Sequence, residues 1–171
     1  MSRSLLILSW LVMPFALMPA SAATNCTDEA YRAFDFLLGK WLVHSKSGDF
    51  QGTNLITAQE QGCLIVEQWQ GRQGGTGQSY NYYNPKTMKW YQLWVSDGAI
   101  IDYSGGLTSS GAMHLEGHII YQENGLQAPF KGTWTPQADG SVLQELKQFN
   151  PENAGWIDWF TGLYTRAPDA D

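Results

Sequence analysis

The sequence predicts an all-β protein, an antiparallel up-and-down β-barrel of about ten strands preceded by a short N-terminal helix. Three observations carry that expectation. From Trp41 onward the apolar residues alternate with period two, and Gly, Asn, Asp and Pro separate the runs. No helical pattern long enough to cross over between parallel strands lies among them. Strands joined by tight turns form a meander, and a meander of this size protects its edges best by closing on itself. A two-sheet sandwich is the alternative, because strand count and alternation do not decide closure.

The N-terminal segment stands apart. Arg3 is followed by an apolar stretch from Leu5 to Met18, broken by Ser9 and Pro14, and then by Ala20-Ser21-Ala22, the small-x-small form that a signal peptidase reads. The stretch is shorter than the roughly 20 residues a membrane-spanning helix needs. Residues 1–22 are therefore expected to be a cleaved secretory signal, and residues 23–171 a single soluble barrel domain, secreted or periplasmic, with no stable membrane anchor. Export would let the two cysteines, Cys26 and Cys63, form a disulfide. Closing that loop is worth roughly 3 to 4 kcal/mol in the chain-entropy picture.

Thr27 and the acids Asp28 and Glu29 then read as the N-terminus of a short helix ending near Leu38-Gly39. The expected strands are Trp41–Lys46, Thr53–Glu60, Cys63–Gln70, Gln78–Tyr83 and Lys89–Val95. Ile100–Ser104, Ala112–Ile119, Phe130–Thr135, Val142–Phe149 and Trp156–Thr165 complete the series. Asn84-Pro85-Lys86-Thr87, Asp97-Gly98, Glu123-Asn124-Gly125 and Asp139-Gly140 supply hairpin turns.

Charge narrows the partners. Sixteen Asp and Glu against ten Lys and Arg leave a net charge of −6 with no basic stripe, so neither phosphate-backbone binding nor polybasic membrane attachment has an electrostatic drive. A nucleic-acid partner is excluded on that ground, and the sequence names no protein partner.

Gly39-Lys40-Trp41 at the first strand and Tyr164-Thr165-Arg166 at the last resemble the calycin superfamily, the lipocalin and fatty-acid-binding-like barrels. The resemblance implies that Trp41 plugs one barrel end and that Arg166 packs across its indole. The chain is also similar to a group of secreted bacterial calycin-like proteins whose activity is unassigned. The blocks that carry this likeness include Phe34-Asp35-Phe36, Gly62-Cys63-Leu64-Ile65-Val66-Glu67-Gln68-Trp69, Tyr83-Asn84-Pro85 and Trp90-Tyr91-Gln92-Leu93-Trp94-Val95. Ser104-Gly105-Gly106, Thr133-Trp134-Thr135-Pro136 and Asp139-Gly140-Ser141-Val142 extend it over nearly all of the mature chain. Leu143 and Leu146 depart from that group, where basic or aromatic residues are more frequent.

Strand alternation on the side of Trp41, Trp69 and Trp94 places Glu67, Asn81, Tyr83, Gln92 and Gln144 inside. Trp90, Met113, Leu115, Leu146, Phe160 and Tyr164 share that side, and a register slip of one residue would invert every assignment. The candidate ligand-binding residues are accordingly Glu67, Trp69, Asn81, Tyr83, Gln92, Trp94 and Gln144. Such an interior suits a compact organic molecule with polar groups better than a fatty acid, unless the amides satisfy one another.

No nucleophile and base pair emerges, so binding without catalysis is the first expectation. An isomerase, cyclase or hydrolase using Glu67 as its acid or base is the second. A structural or partner-binding barrel with a filled interior is the third. No cofactor or metal is expected. His114 and His118 lie about 14 Å apart along one strand, too far to share an ion, and His44 falls on the face opposite Trp41, away from any interior haem.

Overall fold

The computed structural model describes residues 26–168, and the expected leader at residues 1–22 lies outside them. One turn of helix, α1 (Glu29–Arg32), and a 3-10 turn at Asp35–Leu37 lead into ten strands. These are β1 (Gly39–His44), β2 (Phe50–Gln59), β3 (Leu64–Gly71), β4 (Thr76–Asn84) and β5 (Lys89–Ser96). They continue as β6 (Ala99–Leu107), β7 (Met113–Tyr121), β8 (Gln127–Pro136), β9 (Val142–Asn150) and β10 (Gly155–Arg166).

Each strand pairs antiparallel with its sequence neighbours, and β1 pairs with β10 through Trp41↔Arg166 to His44↔Leu163, so the sheet is a closed barrel. That seam excludes the sandwich. The meander follows from the turns: Gly125 and Gly140 adopt φ of +69° and +82°, the left-handed geometry that glycine enters without steric cost.

The helix differs from expectation. It starts at Glu29, with Asp28 rather than Thr27 at the capping position and no side-chain cap, and it stops after Arg32 instead of running to Leu38. Its downstream residues have a stronger claim on them, since Phe34 and Leu37 drop into the barrel end and become almost wholly buried. Burying a side chain of that size is worth roughly 1.5 to 3 kcal/mol, more than the few residues of helix that are lost could return.

The plug at this end is aromatic. Phe34 meets Trp90 and Trp134 edge-on at centroid distances of 5.6 and 5.4 Å. Trp41 donates its indole N–H to the Leu37 carbonyl at 2.8 Å, and Trp90 donates to the Ala30 carbonyl at 3.0 Å. Arg166 lies over Trp41 with its guanidinium carbon 3.8 Å from the ring and donates to the Leu38 carbonyl at 2.5 Å. Gly39 has φ +134°, and a Cβ there would stand 2.1 Å from the Arg166 guanidinium. A side chain at that position would displace the arginine. The Cys26–Cys63 disulfide ties the start of this plug to the β2–β3 turn.

The barrel wall has two register irregularities, one where β1 pairs with β2 at Val43 and His44 and one in β10. Its register against β9 shifts between Asp158 and Phe160, a bulge that turns Trp159 as well as Phe160 toward the lumen. On the other side of the bulge Trp156 faces outward, packing on Phe149 and beneath the Lys131 ammonium.

Candidate functional site

The end opposite the plug is open. Between the two lies a cavity of about 160 Å³ lined by Glu67, Trp69, Gln92, Trp94, Ile101, Tyr103, Gln144, Leu146, Trp159, Phe160 and Tyr164. Trp69, Trp94 and Trp159 also line the mouth above it, with Gln51, Arg72, Gln73 and Asp97 at the rim. An apolar cavity of roughly 150 Å³ holds one benzene ring, so this one admits a molecule of about single-ring size and no long acyl chain.

The lumen stays open because glycines make room for the rings. A Cβ at Gly77 would stand 2.2 Å from the Trp94 ring, one at Gly52 2.8 Å from Trp69, and one at Gly162 2.8 Å from Phe160. Each of these rings therefore lies back against bare backbone. A larger residue at Gly77 would push the Trp94 ring toward the centre, whereas at Gly52 a Cβ would also meet the Gln70 backbone carbonyl at 2.3 Å.

Beneath the rings runs one connected chain of polar side chains. Tyr103 donates to Gln92 and Gln92 donates to Asn81. Asn81 donates to Ser79 at 2.9 Å and to the Ile65 carbonyl at 3.1 Å, and Ser79 donates to Glu67 at 2.6 Å. From the other side, Asn54 donates to Glu67 at 2.5 Å and to the Tyr164 hydroxyl at 3.4 Å, and Tyr164 donates to Gln144 at 2.7 Å. Cross-strand register assembles it: Ile56↔Glu67 and Glu67↔Ser79 stack β2, β3 and β4, while Asn81↔Gln92 and Gln92↔Tyr103 continue through β5 to β6.

Glu67 is 5% exposed. Burial pushes its carboxyl above the usual carboxylate range, and the hydrogen bonds from Ser79 and Asn54 only partly offset that. Tyr103 and Tyr164 are raised well above the ordinary phenol value, first by burial and then by the Glu67 charge, so both remain neutral donors. The lining contains no Lys, Arg or His. The Asn54 carbonyl oxygen is buried and accepts no hydrogen bond among the described residues.

Of the sequence-derived candidates, Glu67, Trp69, Gln92, Trp94 and Gln144 meet in the cavity wall. Asn81 lies behind that wall, holding Gln92 and Ser79. The interior amides Asn81, Gln92 and Gln144 are thus satisfied by one another and by Tyr103 and Tyr164, the alternative that alternation left open, and Glu67 is the lining group with capacity to spare. Tyr83 is elsewhere: it packs on Tyr31 and Trp90 at the plugged end, 5.0 and 6.3 Å between centroids. Alternation places it on the correct face but says nothing of its height along the barrel.

Four lining or supporting residues, Asn54, Ile101, Tyr103 and Trp159, escape the sequence reading. The alternation that singles out Glu67 also selects Asn54 with Ile56 on β2 and Ile101 with Tyr103 on β6. For Trp159 no such signal exists, since the bulge breaks the parity.

His114 bonds Thr133 at 2.8 Å and Glu116 at 3.0 Å on the outer face, away from the cavity. No group of metal-ligating residues is assembled among the described residues. No family model matches the chain, and no curated protein matches it.

Proposed function

We propose that the protein is an exported, calycin-like barrel that binds a small organic molecule in the cavity above Glu67 and leaves it chemically unchanged. The cavity itself carries the proposal: aromatic walls surround a few convergent polar groups, the usual composition of a small-molecule site. The Trp41–Arg166 stacking agrees with the calycin resemblance, and the leader pattern together with the Cys26–Cys63 disulfide supports export. At about 160 Å³ the space is smaller than most ligand pockets, which favours a compact ligand over a lipid.

The test is mass spectrometry of the small molecules released when protein purified from its native exported fraction is denatured. A stoichiometric compound that disappears in Trp94→Ala supports binding. Its absence, together with no thermal shift across a set of ring-sized metabolites, would favour a barrel that serves a structural or protein-binding role. A catalytic reading draws on Glu67, a carboxyl held above its usual range beside the cavity. Under that reading the released molecule would be converted on incubation with fresh enzyme, and Glu67→Gln would abolish conversion.

A further inference from the structure

Resting on that reading, we infer that the ligand is a small organic cation, its charged nitrogen set against the Glu67 carboxylate and its apolar body against Trp69, Trp94 and Phe160. Several observations converge on this class.

Glu67 lines the cavity, yet its two protein partners, Asn54 and Ser79, are uncharged donors. Among the described residues, Arg32, Lys46, His114 and Lys147 form the ion pairs, and none of these pairs involves Glu67. A buried carboxylate normally has a cation beside it, and here the cavity side is the face from which one can come. Each carboxylate oxygen has capacity for a further donor after its single hydrogen bond.

The walls suit the same charge. The faces of aromatic rings are negative, and cages of Trp, Tyr and Phe hold ammonium groups through that potential. Trp69, Trp94, Trp159, Phe160, Tyr103 and Tyr164 surround the space, with Trp69 and Phe160 edge-to-face at 6.2 Å. The acceptor excess continues behind the carboxylate, where the Asn54 oxygen has no donor. An anion would meet Glu67 head-on with no basic side chain in the lining to offset it. At long range, the net charge of −6 draws cations toward the molecule.

Size sets the rest. A cavity of about 160 Å³ accommodates one ring or a compact branched ammonium.

Three probes of matched size separate charge from shape: benzylammonium, benzyl alcohol and benzoate, titrated into the purified protein by calorimetry and by NMR of the tryptophan indole N–H signals. Benzylammonium is expected to bind at least tenfold more tightly than benzyl alcohol, about 1.4 kcal/mol, with benzoate weakest. Glu67→Gln should reduce that ratio to about one. If Glu67→Gln fails to fold, acidifying the wild type through the Glu67 titration should erode the ratio, since benzylammonium keeps its charge there. Equal affinity for the amine and the alcohol, or a preference that survives both perturbations, would overturn the cation assignment and leave small-molecule binding standing. Failure of all three probes would overturn both.

Discussion

Gly77→Ala tests whether the lumen is open because glycines on the wall receive the aromatic rings. Gly77 does not adopt a positive φ, so alanine fits its backbone, but the added methyl would stand 2.2 Å from Trp94 Cζ2 and 2.5 Å from Cη2. To regain an ordinary carbon–carbon separation the indole must retreat by roughly 1.5 Å. Because Trp94 lines the cavity, the retreat narrows it. Overpacking a rigid core costs about 1 to 3 kcal/mol, whereas here the ring has space to enter and alanine restricts the unfolded chain, so a loss near 1 kcal/mol is expected. The same shift should weaken binding of a benzyl alcohol probe at least tenfold. Urea denaturation measures the first quantity and calorimetric titration the second, with Gly106→Ala as control because nothing lies within 4 Å of its Cβ position. Unchanged probe affinity in a folded variant would refute the idea that the rings rest on glycines to keep the lumen clear. A loss above about 4 kcal/mol would show instead that Trp94 is locked in place.

Three further outcomes follow from the same contacts. Because burial raises the Glu67 carboxyl in the folded state, the native protein binds its proton more tightly than the unfolded chain does. Folding stability should therefore rise as pH falls from neutral toward the ordinary value of 4.5, and Glu67→Gln should flatten that slope in denaturation curves. A slope in that window that Glu67→Gln leaves unchanged would contradict the assignment. Arg166→Ala removes the guanidinium above Trp41 and the bond to the Leu38 carbonyl, and should cost about 1 to 2 kcal/mol in urea denaturation. A negligible change would show that the plug holds without it. Reducing the Cys26–Cys63 bond, which spans 37 residues, should lower stability by about 4 kcal/mol in the chain-entropy picture, readable as a drop in the denaturation midpoint. A stability unchanged by reduction would mean that the unfolded chain retains structure across that loop.

The ten strands were legible because each obeys a local rule: side chains alternate with the pleat, and turn residues supply conformations that β-branched and aromatic residues avoid. Glu67, Gln92 and Gln144 could be placed inside by counting along their own strands. The helix was overestimated because cap and charge signals near Thr27 are local, whereas Phe34 and Leu37 answer to the barrel end they fill. Trp159 was illegible because a bulge is a mismatch between two strands, and neither strand alone contains it.

By itself, then, the sequence determined the strands, the alternation of their faces and the cysteine pair, while the meeting of Trp41 and Arg166 at the plugged end came only as what the resemblance implied. Tertiary structure decided closure, since the β1–β10 register pairs strands more than a hundred positions apart in the chain. It also decided that Tyr83 sits at the plug, that Asn54 and Tyr103 complete the polar chain around Glu67, and that the tryptophans leave a cavity instead of filling it. The physical reason is the same throughout. Backbone geometry dictates which way a side chain points, but whether space remains in front of it depends on what the neighbouring strand presents along the same face. Trp94 pairs with Ser79, and its ring reaches diagonally to the bare backbone of Gly77.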